Sequence, residues 1–334
     1  METLRVSYSS LGTFSSCPRK FEFDKLYPKK DRAWEDNYAA DVGKALHAAY
    51  QDYLIHKDQE RSILELMRTF PFEDEHSQPN DYRSFSAALS TLEEMFNEIR
   101  MDEYELAMIK RPLNPAEQIG EYFLAQHEQR VAASSFTVPA IEVPFEIRFK
   151  GLMIPPCARY PEGAQISLIG FIDAIMRNLT TDLYRTMDIK TSRMRLTDPT
   201  PKYKYDNQQT PYGLVVEHVA GGLIDSFEVL YLDCYVDLVE PDVKMLPFLR
   251  TRDNILEWCN NKVLQFQQIA KMAAADFFPR TDNGCLFYQK GCRYLEPCQS
   301  RDRDMLTEWF LMGEEPKQEK PFVPWIVVDV DLGV

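Results

Sequence analysis

Residues 170–190 read GFIDAIMRNLTTDLYRTMDIK. Two apolar-rich strand candidates flank a polar turn. Asp173 lies in the first strand, Asp188 near the end of the second, and Lys190 two residues later. Side chains at i and i+2 of a strand share a face, so Asp188 and Lys190 are expected to point together. A hairpin returning beside the first strand could bring Asp173 to that same face. Two carboxylates and a lysine so placed make a divalent-cation site with a cationic side chain at hand.

The 334 residues allow one large domain or two small ones. A hydrophobic content of 45% supports a sizeable core. The formal net charge of −14 argues against a surface coated in basic patches. It does not exclude nucleic acid, because phosphate binding depends on local charge. Basic residues do cluster, at Arg19, Lys20, Lys25, Lys29, Lys30 and Arg32, and again at Arg185, Lys190, Arg193, Arg195, Lys202 and Lys204. Each cluster reads equally well as a solvated face. The N-terminal METLRVSYSS has no apolar signal region, and no run of about 18 apolar residues exists. A cytoplasmic protein that does not span a membrane is expected. Its seven cysteines then read as thiols or metal ligands rather than disulfides. There is no G-x4-GK[ST] phosphate loop, so no ATP-driven motor is encoded.

Outward from the hairpin, residues 7–27 begin with a serine-rich cap and a short helix pattern, broken at Cys17 and Pro18. Residues 41–55 are strongly helical, with His47 beside the apolar stripe and Gly43 one turn earlier. Residues 60–131 read as several helices, a helical insertion. Residues 138–149 read as a strand in which Glu142 could accept from the metal shell but reads more simply as an edge-strand carboxylate. After the hairpin comes a basic, proline-punctuated loop over 193–204. Its Lys202 and Lys204, with Tyr203 and Tyr205, suit backbone tracking and base stacking along a nucleic-acid strand. NQQTPYGLVVEHVAGG then reads as a helix ending at Gly221 and Gly222, with Gln208 and Tyr212 four apart on one face. A strand over 226–237 and an amphipathic helix over 249–276 follow. Residues 313–334 read as a linker and a tail that is a final strand or a docking peptide.

Cys285, Cys292 and Cys298 fall in one Gly/Pro-containing loop with C-x6-C-x5-C spacing, looser than the paired C-x2-C of a zinc ribbon. A fourth ligand is needed, and Cys17 sits in a loop beside polar and basic residues. Four thiolates suit a 4Fe–4S cluster or, as the lesser alternative, zinc. Such a site would staple the two chain ends together.

The ordered set is Gly43-x3-His47, Gly170-x2-Asp173, Asp188-Ile189-Lys190 and Gln208-x3-Tyr212, preceded by Cys17 and followed by the cysteine trio. It resembles the PD-(D/E)XK nuclease superfamily. Within it, the set resembles the RecB-like branch with a carboxy-terminal cysteine cluster, which includes nuclease domains of AddB-type recombination proteins, small iron–sulfur nucleases of CRISPR adaptation and related phage exonucleases. The resemblance covers both ends and the middle of the chain, leaving out about 60–131 and the tail.

The resemblance implies an α/β fold. Its restriction-endonuclease-like core would be a mixed central sheet flanked by helices, a single domain over 1–312 with a cluster staple joining the termini. It implies that His47, Asp173, Asp188 and the Ile189 carbonyl ligate Mn2+ or Mg2+. Lys190 would act on the attacking water, with Gln208 and Tyr212 positioning DNA or the lysine. Cys17, Cys285, Cys292 and Cys298 would hold a 4Fe–4S cluster. Arg19, Lys20, Arg193, Arg195, Lys202 and Lys204 would contact DNA. It implies exonuclease action on single strands or duplex ends, in recombination, repair or phage DNA processing, in a bacterium or phage-infected cell. A helicase or recombination protein would be a separate partner. Two other readings compete: a catalytically inactive nuclease-fold scaffold subunit, and a zinc-stabilised structural protein.

Overall fold

The computed structural model describes residues 2–27, 38–72, 84–98, 103–128, 134–157, 159–192, 195–237, 239–281, 285–287, 290–292, 294–300 and 322–331. In chain order the first half runs β1 (Thr3–Ser7), α1 (Tyr8–Ser16), α2 (Pro18–Lys25), α3 (Tyr38–His56), α4 (Gln59–Thr69), α5 (Phe85–Glu98), β2 (Tyr104–Leu106), β3 (Met108–Pro112), α6 (Pro115–Glu128), β4 (Ser135–Pro139) and β5 (Ile141–Ile154). The second half runs β6 (Ala164–Asn178), β7 (Tyr184–Ser192), α7 (Thr200–Lys204), α8 (Tyr212–Ala220), β8 (Ser226–Tyr235), β9 (Asp242–Thr251), α9 (Arg252–Ala274), β10 (Leu286–Phe287), β11 (Lys290–Gly291), α10 (Leu295–Ser300) and β12 (Ile326–Val330). The large sheet has the order β12-β5-β6-β7-β8-β9, and β1 and β2 also pair with β6. Its pairings are mixed: β6 with β7 and β8 with β9 are antiparallel, β7 with β8 parallel. The expected mixed central sheet flanked by helices is the observed architecture.

The chain divides into two compact units, one of residues 1–35, 145–170 and 257–334, the other of 36–144 and 171–256. In the second unit, α3 supplies Val42, Leu46 and Tyr50 to a core that also holds Leu92 and Met95 of α5. They pack with Ile189 of β7 and Leu230 and Leu232 of β8, all nearly inaccessible. Gly43 has a reason in this packing. A Cβ there would come within 2.8 Å of Thr191 Oγ1, so glycine lets α3 settle against β7 one turn before His47. Helix α8 ends at Gly221, whose φ of 71° is the left-handed cap that glycine accepts without penalty.

In the first unit, β1 and β12 run parallel to β6 and β5 respectively. Phe14 meets Phe21 edge-on at 5.3 Å, and Phe149 meets Phe266 at 5.3 Å. Pro18 breaks the leading helix as expected but also opens the next one, at the N-terminal position where its missing N–H costs nothing. Cys17 caps both helices.

Two element readings need correction, and the final-strand alternative for the tail is the one observed. The region 60–131 is not wholly helical: β2 joins the large sheet against β6, and β3 pairs with β4. The helix expected over 249–276 begins at Arg252, because residues 242–251 form β9. Of the tail, residues 326–330 form β12, paired parallel with Phe145–Phe149. Among the described residues no helix is long and apolar enough to cross a membrane.

Gly213 tests the packing of α8. A Cβ there would lie 2.3 Å from Ile255 Cδ1 and 2.7 Å from Phe227 Cε1. Gly213→Ala is expected to destabilise the protein by about 1–3 kcal/mol through overpacking, read as a lower urea midpoint at unchanged slope.

Candidate active site

The second unit brings the hairpin, α3 and the start of α8 to one place. The β6–β7 ladder runs to Ala174 opposite Met187, and Asp173 and Asp188 are the next residue on each strand. Both are buried. Asp173 Oδ2 accepts from the Ile189 backbone N–H at 2.7 Å and lies 3.7 Å from His47 Nδ1. Lys190 Nζ lies 2.6 Å from Asp188 Oδ2, as expected for side chains two apart on a strand. The lysine also donates to Gln208 Oε1 at 3.1 Å, and Gln208 Nε2 donates to Asp188 Oδ1 at 3.2 Å. Asp188, Lys190 and Gln208 thus close a polar triangle.

Gln208 reaches this triangle by a different route from the one its spacing suggests. It precedes α8, which begins at Tyr212, and sits in a turn. The turn is anchored by Gln209, fully buried, which donates to the Leu230 carbonyl at 3.1 Å and accepts from Thr186 Oγ1 at 2.8 Å. Tyr212 is buried, and its hydroxyl donates to the Phe171 carbonyl at 3.3 Å. Burial, reinforced by the negative charge of Asp188, pushes its phenol well above the usual value, so it stays neutral.

Glu142 is not an edge carboxylate. One oxygen of Glu142, one of Asp173 and one nitrogen of His47 all lie within 4.8 Å of one another. Its φ of 49° is unusual for a residue with a Cβ and takes its side chain out of ordinary strand alternation. Gln51, one turn beyond His47 on α3 and itself buried, donates from Nε2 to Glu142 Oε1 at 2.6 Å. Sequence reasoning missed Gln51 and Gln209. The i, i+4 relation of His47 and Gln51 on one helix face was the available signal for the first.

The charge balance favours a cation. Burial raises Asp173 to about 6, against the opposing Ile189 hydrogen bond, and the charge of Glu142 raises it further. Burial likewise raises Asp188 to about 6; Lys190 opposes this and Asp173 adds to it. Burial lowers His47, leaving a neutral imidazole with a free lone pair, the form that binds metal. Three oxygen or nitrogen donors this close fit one divalent ion with bonds near 2.0–2.2 Å after small adjustments. A mixed nitrogen and carboxylate set suits Mn2+ as well as Mg2+.

The profile of the PD-(D/E)XK nuclease superfamily matches residues 5–299. The chain belongs to the PD-(D/E)XK nuclease superfamily. Divalent metals serve catalysis in this superfamily, and DNA is the substrate that membership implies. Among solved structures, the chain is similar at 12% identity to one named "Putative exonuclease" from Eubacterium rectale, over 96% of this chain and 91% of that one, with a TM-score of 0.39. SSO0001 matches at 11% identity over 70% and 74%, with a TM-score of 0.20. No curated relative matches the chain.

Several other sequence-predicted residues are differently engaged. Tyr203 cannot stack on bases, because it is buried and stacks on Tyr231 at 4.6 Å, with its hydroxyl donating to Asp233. Lys202 Nζ donates to the Tyr203 hydroxyl at 2.7 Å, and Lys204 Nζ lies 5.8 Å from the ring of Tyr205, which is exposed. Arg195 is ion-paired with Glu240 and Asp242, which reduces its value as a phosphate contact. Arg193 lies outside the described residues, as do Lys29, Lys30 and Arg32.

In the first unit, Cys17, Cys285, Cys292 and Cys298 line one cavity together with Arg19, Lys20 and Arg280. All four are free thiols. Burial pushes the Cys298 thiol up, while Arg19 pulls it down and Cys17 pushes it further up. Arg19 also pairs with Glu22 at 3.3 Å. The segment is held to α2 by Tyr294, whose hydroxyl donates to Asp24 Oδ1 at 2.5 Å.

Gln51→Ala is expected to weaken Mn2+ binding about tenfold, because an outer hydrogen bond that orients a ligand carboxylate is typically worth that much. Loss of the free-ion Mn2+ resonance on titration measures it. Binding by the unaltered protein is expected to fall as pH drops below about 6, where Asp173 and Asp188 take up protons that compete with the ion.

Proposed function

We propose that this protein is a metal-dependent DNA exonuclease of the RecB-like branch, acting on single strands or duplex ends. We place the nuclease domain over residues 1–312, with β12 from the tail added to its large sheet. The observation that carries the reading is the convergence of His47, Asp173 and Asp188 with Lys190 in hydrogen-bond contact with Asp188 and Gln208. Two buried carboxylates crowded beside a lysine and an imidazole support a working centre over an inactive scaffold.

In this reading His47, Glu142 and Asp173 would hold the divalent ion, with Asp188 and the Ile189 carbonyl as further ligands. The ion supplies charge neutralisation at the phosphate and a more acidic water. Lys190 orients the attacking water and stabilises charge on the phosphoryl oxygens as the bond to the leaving oxygen breaks. Gln208 keeps Lys190 within reach of Asp188 and prevents it from swinging to solvent. Tyr212, neutral and buried, fixes the strand at Phe171, two residues before Asp173.

We also assign a 4Fe–4S cluster to Cys17, Cys285, Cys292 and Cys298. Four free thiols facing one cavity, with arginines nearby to offset thiolate charge, support it. Among the described residues no three of these sulfurs lie within 4.8 Å of one another. Tetrahedral zinc at about 2.3 Å from each sulfur needs them about 3.8 Å apart, whereas a four-iron cluster carries its thiolates on separate irons. Lys20 and Arg19 beside this cavity, and Lys202 and Lys204 of α7, are the proposed DNA contacts. A recombination or repair setting, or phage DNA processing, with a separate helicase as partner, is the corresponding biological role.

End-labelled single- and double-stranded DNA incubated with Mn2+ tests the activity. Asp173→Ala and Lys190→Ala are each expected to reduce cleavage by at least about a thousandfold while circular dichroism and melting stay near the unaltered protein. Undiminished cleavage by both variants would overturn the assignment. Anaerobic purification is expected to give iron, sulfide and visible absorbance, and Cys292→Ala to lose them with a lower melting temperature. Stoichiometric zinc in a colourless protein would remove the cluster.

A further inference from the structure

Strand β6 carries one apolar side chain where none is expected. Ile172, Ala174, Ile175 and Met176 are all at 0% exposure, yet Phe171 is 51% exposed. Phe171 precedes Asp173 by two residues, so strand alternation puts both side chains on the same sheet face, with Cα atoms about 6.7 Å apart. That face is the one carrying the nuclease carboxylates. Its backbone is held there, since its carbonyl accepts from Tyr212, a residue of the site helix α8. The backbone positions of Phe171 and Asp173 therefore keep a fixed spacing.

We propose that Phe171 is a nucleobase-stacking residue that seats the base beside the scissile phosphate. The inference rests on the nuclease reading and deepens it. The ~6.7 Å offset between the two Cα atoms is comparable to the reach from a backbone phosphate to its own base. With the phosphate at Asp173 and Lys190, the neighbouring base falls at Phe171. Every base has an apolar π-face, so such a seat is indifferent to sequence. It does require that the face be free. In a duplex interior both faces of a base are covered by stacking neighbours. A single strand or a frayed end offers one. The ring thus selects unstacked substrate without reading its identity, which gives a physical cause for a preference that the polar residues of the site cannot supply. Phenylalanine also carries no charge or hydrogen-bonding group that would compete for the ion at Asp173.

The test compares unaltered protein, Phe171→Ala and Phe171→Trp on a 5′-labelled single-stranded oligonucleotide and on the same oligonucleotide with one abasic position. Phe171→Ala is expected to raise KM for the intact strand roughly tenfold, with kcat changed by less than about twofold. Phe171→Trp is expected to restore KM. When the abasic position reaches the site, the unaltered protein should slow by a similar factor, whereas Phe171→Ala should not slow further. Equal KM for the unaltered protein and Phe171→Ala, or an equal abasic penalty in both, would overturn the proposal. Indole fluorescence of Phe171→Trp titrated with oligothymidylate in Ca2+ reads stacking without turnover. Quenching there in a protein that never cleaves DNA would retain the stacking seat and reject the nuclease reading. Absence of quenching alongside active cleavage would do the reverse.

Discussion

Two buried carboxylates that cannot comfortably both be charged set the terms for the whole second unit. Asp173 and Asp188 sit one step beyond the last paired residues of β6 and β7, where the ladder no longer consumes the backbone of Ile189. The Ile189 N–H is thereby available to Asp173. Lys190 alone cannot balance both acids, and Glu142 adds a third negative group nearby. A low-dielectric site with surplus negative charge is unstable as it stands and attractive to a small cation. The helices then follow: α3 approaches close enough through Gly43 to deliver His47, and the turn before α8 delivers Gln208.

Much of this was legible in the sequence, for identifiable reasons. Asp188 and Lys190 could be paired because a strand's period is two. His47 could be placed because its helix pattern was strong and Gly43 marked a close approach. The misses have equally physical causes. Glu142 escaped because its left-handed backbone breaks the alternation that sequence reasoning relies on. Gln208 was expected on a helix, because the hydrogen bonds that hold its turn come from Thr186 and Leu230, distant in sequence. Tyr203 looked like a base-stacking residue, since alternating basic and aromatic residues look the same whether the ring faces solvent or core. Its burial is set by Tyr231 and Asp233 on β8. Strand β9 was overlooked because Pro247 interrupts its pattern. Its place at the end of the sheet order, paired only with β8, is where a proline is tolerated.

The two units solve different problems with similar economy. In the second, Lys190 is held by a carboxylate and an amide rather than by two acids. In the first, aromatic rings and a tyrosine–aspartate hydrogen bond hold the cysteine segment against α2 before any metal is considered. The cysteines around that cavity are thereby brought together by packing alone.

That arrangement has a consequence for how the protein is made. Tyr294 and Asp24 are 270 residues apart, and Arg19 donates through its backbone to Pro279. Helices α1 and α2 leave the ribosome some 270 residues before Tyr294 does. At about 5–20 residues per second the wait is roughly 15–50 s. During that interval Phe21, Phe23 and Cys17, all buried in the finished protein, have no completed surface to pack on. The nascent chain therefore exposes an aromatic, thiol-bearing segment throughout that interval, and the first unit closes only once its segment from residue 257 onward has been made.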